Sequence, residues 1–409
     1  MGRRILHICT GFNLDFNGGI TNYVRCLAKQ QTSNGNQVYV LSDSGNSDGY
    51  EVIQFSSEVR IWGFYKKKGE KSLINIKKLL DELSIDLIHI HMMLNIDQDL
   101  YKILKDYKYV VSLHDYYYIC PRIQMVAPGQ TRCCIANTEK CEKCFSLIEK
   151  NWFLSGGFRR ILGAGFAYKF PMKSKKVYRR WFDRNKRLLE NAQMLFPVSN
   201  RVEEIYRNSG INNKYHTLHI GNITAENFNK IAIKRDGEEI HLILLSDVSY
   251  IKGGPLFFDI LQKTNNPHLK VHFYGRCDNK TKEIFKRLGI NYHGEYKQID
   301  LPEILSKMDL GVMTPIWEDN GPQVVMEMLN NHLPVFATKM GGITDFVNSE
   351  NGFIFDPFNE AEKNQAINFL NQLNRDQINK LREHIKRTLT PYEHYEELIR
   401  FYEKILEKG

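Results

Sequence analysis

Between Thr314 and Asn330 the chain sets two adjacent carboxylates, Glu318 and Asp319, before a Gly321-Pro322 break, and a third, Glu327, just beyond it. Proline at the first helical position needs no amide donor and its fixed φ suits the first turn, so a helix is expected to open near Pro322. The free amides of that turn, with the helix dipole behind them, would form a site for a phosphate or another anion. Glu327, one turn in, would reach a polyol. The competing reading is an ordinary amphipathic helix with Val324, Val325, Met328 and Leu329 in a core.

Other chemically capable residues stand where strand-like runs give way to helix-like ones. Gly18-Gly19, Lys252-Gly253-Gly254 and Gly341-Gly342 are three such places. Glycine lets the backbone approach a phosphate or sugar closely, and a lysine there can neutralise a diphosphate. The spacing fits neither the dinucleotide-binding Gly-x-Gly-x-x-Gly nor a Walker loop. His114-Asp115 ends the run Tyr109–Leu113, where an imidazole can meet a sugar hydroxyl or a reacting centre. Five cysteines, Cys120, Cys133, Cys134, Cys141 and Cys144, fall in one short region. Cys141-x-x-Cys144 with Cys120 and either Cys133 or Cys134 could complete a tetrahedral thiolate zinc site, and free thiols are the other reading.

The elements that must hold these groups alternate in type. Arg4–Cys9, Gln37–Ser42, Glu51–Phe55, Asp86–His91, Tyr109–Leu113 and Met194–Val198 read as strands, with helices after Gly18-Gly19 and around 71–83 and 96–107. Buried runs flanked by helices indicate a parallel sheet covered on both faces. A polar, irregular stretch to about Glu239 reads as a linker. A second series follows, with strands at Ile240–Leu245, Lys270–Tyr274, Leu310–Met313 and Pro334–Thr338 and helices at Gly254–Gln262, Lys280–Leu288, Pro302–Met308 and Pro322–Asn331. The expected fold is therefore α/β, two tandem Rossmann-like doubly wound domains facing across a cleft. The expected boundaries are 1–198, with a Cys-rich insertion at 120–144 and a basic segment at 150–187, then 199–388, and a crossover helix at 389–409 docking back on the N-terminal domain. That last helix follows the capping box Thr390-Pro-Tyr-Glu393, with Tyr395, Leu398, Ile399, Tyr402, Ile405 and Leu406 at helical spacing.

The totals fit this picture. A chain of 409 residues is too long for one ordinary core. Hydrophobic residues make up 42% and charged residues 25%, as in soluble proteins, and no apolar run is long enough to span a membrane. The N-terminus reads as a strand, not a signal peptide, so a cytoplasmic location is expected. The net charge of +9 admits phosphorylated substrates, anionic membranes or nucleic acid. The basic segment, with Arg159, Arg160, Lys169, Arg179, Arg180 and Arg187 among its charges beside Phe153, Leu154, Phe158 and Ile161, suits either a solvated helix face or an element lying on anionic lipid at the inner face of the cytoplasmic membrane.

Taken in order, Gly18-Gly19, Asp86-Leu-Ile-His-Ile-His91, His114-Asp115, Pro197-Val-Ser-Asn200, Lys252-Gly253, Asp309-Leu-Gly-Val-Met-Thr-Pro315, the Thr314–Asn330 stretch and Gly341-Gly342-Ile343 resemble retaining GT-B glycosyltransferases of family 4. The resemblance covers nearly the whole chain. Its most specific part is a carboxylate, seven residues and a Glu, here Asp319 to Glu327. It implies that Glu327 binds the ribose of a nucleotide-sugar donor, that Asp319 and the Asn320, Gly321, Pro322 and Gln323 turn hold donor sugar hydroxyls, and that Lys252 holds the diphosphate and stabilises the leaving charge. It implies further that His114 contacts donor sugar or acceptor, that the Gly18-Gly19 loop shapes the acceptor side, and that no cofactor is required for catalysis. Two positions depart from the family. Its first acidic residue is usually Glu, whereas Asp319 is in register here with Glu318 one place out of phase, and either would serve. Its usual Arg five residues before the Lys is Asp247, for which Arg276 is the candidate replacement. The expected acceptor is a polysaccharide, glycolipid or lipid-linked glycan. Three other readings compete: a GT-B-like sugar-nucleotide epimerase, a degenerate transferase that only binds partners, and a basic zinc-containing nucleic-acid-binding protein. The last leaves the tandem α/β halves unemployed, so no nucleic-acid partner is expected.

Overall fold

A computed structural model describes residues 2–9, 18–42, 51–54, 77–78, 80–93, 100–127, 131–137, 139–141, 144, 174–230 and 237–407. The chain divides into two compact units, Met1–His219 with Tyr392–Gly409, and Ile220–Pro391.

The first unit is built on strands β1 (Arg4–Cys9), β2 (Gln37–Ser42), β3 (Glu51–Gln54), β4 (Leu87–Met92) and β5 (Tyr109–Leu113), then the short hairpin β6 (Val126–Ala127) and β7 (Thr131–Arg132), then β8 (Leu195–Pro197). Six of these form one parallel sheet in the order β3-β2-β1-β4-β5-β8. All five residues of β5 are buried, as expected of a strand covered on both faces. Side chains alternate along a strand, so Ile88 and Ile90 of β4 share one face while His89 and His91 share the other. The helix Gly19–Ser33 and the C-terminal helix Pro391–Glu407 lie over that second face, where Tyr23 bonds His394 and Tyr402 bonds His89. The expected docking of the last helix on the N-terminal unit is thus present, fixed further by Lys108 Nζ donating to the carbonyls of Ile405 and Leu406.

The first unit runs past Val198 to His219. The stretch read as a linker begins with a helix, Asn200–Asn208, capped by Ser199, whose Val202, Ile205 and Tyr206 are buried at helical spacing. Tyr215 then bridges in parallel to Leu195, continuing the sheet edge.

The second unit repeats the topology: β9 (Ile240–Ser246), β10 (Leu269–Gly275), β11 (Asn291–Gly294), β12 (Leu310–Met313), β13 (Val335–Thr338) and β14 (Gly352–Phe355), in the order β11-β10-β9-β12-β13-β14, all parallel. In both sheets the strand order reverses beside the first strand. Ligands of doubly wound folds bind at that switch point, beyond the carboxyl ends of the strands. Two cores flank the second sheet, one around Phe257, Phe273, Phe285 and Phe336, the other around Leu305, Val325, Met328 and Leu329. The apolar face of the Thr314–Asn330 helix therefore packs, as the competing reading required. Its polar face is where the site lies.

Among the described residues no helix is long and apolar enough to cross a membrane. The first half of the basic segment, 151–173, lies outside the described residues, as do most of the predicted helix at 71–83 and the loop before Gly18. The second half is the helix Ser174–Glu190, which buries Tyr178, Trp181 and Leu189 and exposes Arg179, Arg180 and Arg187.

Candidate functional site

The loops after β9 and β12, on either side of the second switch point, are knitted together. Ile316 N–H donates to Ile251 O at 3.0 Å, and Thr314 Oγ1 donates to Gly253 O at 3.2 Å. Gly253 has φ 80, and a Cβ built on it would stand 1.5 Å from Thr314 O. Both the left-handed backbone and the close approach demand glycine. This contact sets Lys252 against the acidic loop: its Nζ lies 3.4 Å from Asp319 Oδ2 and 4.8 Å above the Trp317 ring.

A second glycine fixes the loop from the other side. Gly341, at φ 59, would place a Cβ 1.8 Å from Asp319 O, and Gly342 N–H donates to that same carbonyl at 2.6 Å. The two carboxylates that sequence left in competition are separated here. Glu318 is fully buried and accepts from Gly341 N–H at 3.0 Å, bracing the glycine turn, whereas Asp319 faces Lys252. The same loop holds two buried polar atoms with no hydrogen-bond partner among the described residues, Asn320 Oδ1 and Trp317 Nε1. Buried polar atoms are nearly always paired, so this acceptor and donor beside a Lys–Asp pair are available to a polar ligand. Sequence reasoning gave Trp317 no role. An aromatic residue next to the acidic pair was the available signal.

The helix opens one residue later than expected, at Gln323, with Pro322 as its cap. Glu327 is buried on it and accepts from Gln298 Nε2 at 2.8 Å. Burial raises the Glu327 carboxyl to about 7, with the Gln298 hydrogen bond opposing the shift. A pocket between the ends of β9 and β12, about 40 Å³, is lined by Asp247, Lys252, Thr314 and Val324 among others. Asp247 occupies the position where the family usually has Arg, and its carboxylate caps its own turn by accepting from Ser249 N–H and Oγ–H, both at 2.8 Å. Arg276, the candidate replacement, is exposed and ion-pairs with Glu295 at 2.8 Å.

In the first unit, His114 ends β5 as expected, and it terminates a chain of hydrogen bonds that the sequence did not reveal. His91 Nδ1 lies 3.1 Å from His114 Nε2, His7 Nδ1 lies 2.9 Å from His91 Nε2, and His7 Nε2 lies 2.7 Å from Gln31 Oε1. Burial holds the His7 ring down at about 4 and keeps His91 well below its ordinary value, so both are neutral. The Gln31 carbonyl then fixes every tautomer in the row: His7 donates to Gln31, His91 to His7, and His114 to His91. His114 is left with Nδ1 as an acceptor. His7, His89 and His91 are the one group of three potential metal ligands within 4.8 Å among the described residues. Their ring nitrogens are already engaged with one another and with Gln31, Ser112, His114 and Tyr402, so the group is a hydrogen-bonded core, not a cation site. Gly18 caps the helix Gly19–Ser33, accepting from Asn22 N–H through its carbonyl at 2.9 Å.

Two parallel Rossmann-like units in tandem, with a lysine–carboxylate pair at the second switch point, define a GT-B architecture. Solved structures share it over the whole length. A glycosyltransferase from Rickettsia africae aligns with TM-score 0.67 at 15% identity, covering 100% of both chains. Sucrose-phosphate synthase from Thermosynechococcus elongatus aligns with TM-score 0.64 at 14% identity, again covering 100% of both. Anabaena HepE, in complex with UDP and glucose, aligns with TM-score 0.61 at 14% identity, covering 98% of this chain and 99% of that one. No curated protein matches the chain by sequence. Residues 17–222 match the family model for Glycosyltransferase Family 4 and residues 226–390 that for Glycosyl transferases group 1, so the chain belongs to the group 1 GT-B glycosyltransferases.

Proposed function

We propose that this glycosyltransferase moves a sugar from a nucleotide-sugar donor to a polysaccharide, glycolipid or lipid-linked acceptor, with retention at the anomeric carbon. The observation that carries the donor half is the Lys252–Asp319 pair beside the unpartnered Asn320 Oδ1 and Trp317 Nε1 at the β9/β12 switch point. Lys252 holds the diphosphate, Asp319 and the Asn320–Gln323 turn hold sugar hydroxyls, and Glu327 accepts from ribose in place of the Gln298 amide. As the sugar–phosphate bond breaks, negative charge grows on the leaving diphosphate, and a fixed ammonium stabilises it more in the transition state than in the ground state. The departing phosphate accepts the acceptor's proton on the same face. His114, with Nδ1 free to accept, orients a hydroxyl of donor or acceptor.

A thermal-shift panel of nucleotide sugars, with UDP-glucose among the first because Anabaena HepE is solved in complex with UDP-glucose and with UDP, identifies the base and sugar. Transfer assays with the best binder follow. Glu327→Gln is expected to raise the donor KM by about tenfold to a hundredfold, the worth of one hydrogen bond to a charged group. An unchanged KM removes Glu327 from the donor site, and an inverted product rejects retention.

The acceptor is proposed to meet the enzyme at an anionic membrane surface. The exposed Arg179, Arg180 and Arg187 face of the helix Ser174–Glu190 supports this. Co-sedimentation with vesicles containing phosphatidylglycerol should weaken several-fold when all three are changed to glutamine, and binding that ignores the change removes this face from the contact.

A further inference from the structure

Four of the five clustered cysteines converge in the first unit, outside any residue assigned to donor or acceptor. Cys120 comes from the loop after β5, Cys133 follows β7, and Cys141 and Cys144 lie on the helical segment beyond. All four line one cavity of about 20 Å³, room for a single water-sized particle. The fifth, Cys134, is exposed and does not line it. Adjacent residues in extended chain point to opposite sides, and here Cys133 takes the inward place. None of the eight cysteines of the chain forms a disulfide.

We infer that Cys120, Cys133, Cys141 and Cys144 form a structural zinc site that fastens the segment after His114 to the body of the unit.

The loop after Cys120 bends sharply, with Ile123 at φ 66 and Met125 at φ 51, conformations that non-glycine residues adopt rarely and at a cost. Zinc entry would release four thiol protons to solvent and leave a centre of net charge −2. Arg122 and Lys140, both lining the cavity, balance it. Among the described residues the cavity has no carboxylate or histidine in its wall, so the donor set there is all sulfur, which selects zinc over magnesium or calcium. As they stand the sulfurs do not form a group within 4.8 Å of one another, so binding draws them inward to Zn–S bonds of about 2.3 Å. What the site fastens is visible in its neighbours: Tyr178 of the helix Ser174–Glu190 donates to Ile119 O at 3.5 Å, and Asn185 of the same helix donates to Tyr118 O at 3.1 Å.

The test uses the full chain, purified without chelator and without added metal. Mass-spectrometric metal analysis is expected to find about one zinc per chain and no iron. Cys141→Ser and Cys144→Ser are expected to lose that zinc, and Cys134→Ser to keep it. Should the serine variants fail to fold, the wild-type chain still decides: titration with an organomercurial should release zinc to a chromophoric chelator as thiols are consumed. Chain exchanged with cobalt should show thiolate-to-cobalt charge-transfer absorption. Protein with no bound zinc, iron in its place, or an intact mass showing disulfides among the four would overturn the inference. Zinc content is read without any donor or acceptor, so its outcome is independent of the transfer proposed above.

Discussion

Lys252→Ala is expected to lower kcat for sugar transfer by about a hundredfold to a thousandfold, the usual cost of removing one preorganised charge from a developing anion. The geometry gives a reason to expect the upper part of that range. Lys252 and Asp319 lie 3.4 Å apart, so the loop meets the donor as a nearly neutral pair. Removing the ammonium leaves the buried Asp319 carboxylate next to the diphosphate with no countercharge nearby. Donor binding should therefore suffer along with the rate, unlike a variant that loses only transition-state contacts. The double variant Lys252→Ala/Asp319→Asn separates the two effects. It should regain part of the donor affinity lost in Lys252→Ala, read in a thermal-shift titration, while its kcat stays low, because the repulsion is gone but the leaving-group charge remains unstabilised. Wild-type kcat in Lys252→Ala would remove the lysine from the reaction. Equal donor affinity in the single and double variants would remove the charge pairing with Asp319.

Much of this arrangement was legible in the sequence because it is local. The strand runs, the glycine pairs at strand ends and the helix opening beside Gly321-Pro322 each follow from a few adjacent residues. The helix Asn200–Asn208 is announced by Val202, Ile205 and Tyr206 at helical spacing, but its other positions are polar and the average composition of the stretch is that of a linker. What could not be read depends on which strands are neighbours. His7 and His91 are 84 positions apart and meet only because β1 pairs with β4. Glu318 and Asp319 are indistinguishable by type, and their roles separate only when Gly341 claims one and Lys252 the other. Cys133 and Cys134 divide in the same way, by the direction each side chain takes. Arg276 follows a strand end, but its partner Glu295 comes from beyond β11, a pairing that no local pattern announces.

The N-terminal unit is expected to lose stability steeply between about pH 6.5 and pH 4, ahead of the second unit. In the unfolded chain a histidine titrates near 6.5, but burial holds His7 and His394 at about 4 and keeps His89 and His91 well below the ordinary value. Across that window the unfolded chain binds protons that the folded unit refuses, so stability present above pH 6.5 drains away as pH falls. For His7 alone, fully buried, the loss is on the order of 3 kcal/mol. Asp115 works in the opposite sense. Burial raises it to about 6, so its folded form gains a proton early and stability rises as pH drops below that value, but it is one group against five, His114 being held down by burial as well, at about 3. In the second unit Glu327, raised to about 7, also gains stability on acidification, while His272, lowered to about 4 but only half buried, loses some. Hydrogen exchange followed by mass spectrometry at several pH values, corrected for the intrinsic rate, resolves the units separately. Peptides from β1, β4 and β5 should lose protection well before those from β9 and β12. Parallel loss in both units, or an N-terminal unit unmoved down to pH 5, would mean that these histidines are charged and paired within the fold. The neutral hydrogen-bond row that fixes the His114 tautomer would then fall with the prediction, because a protonated His91 has no acceptor left to offer.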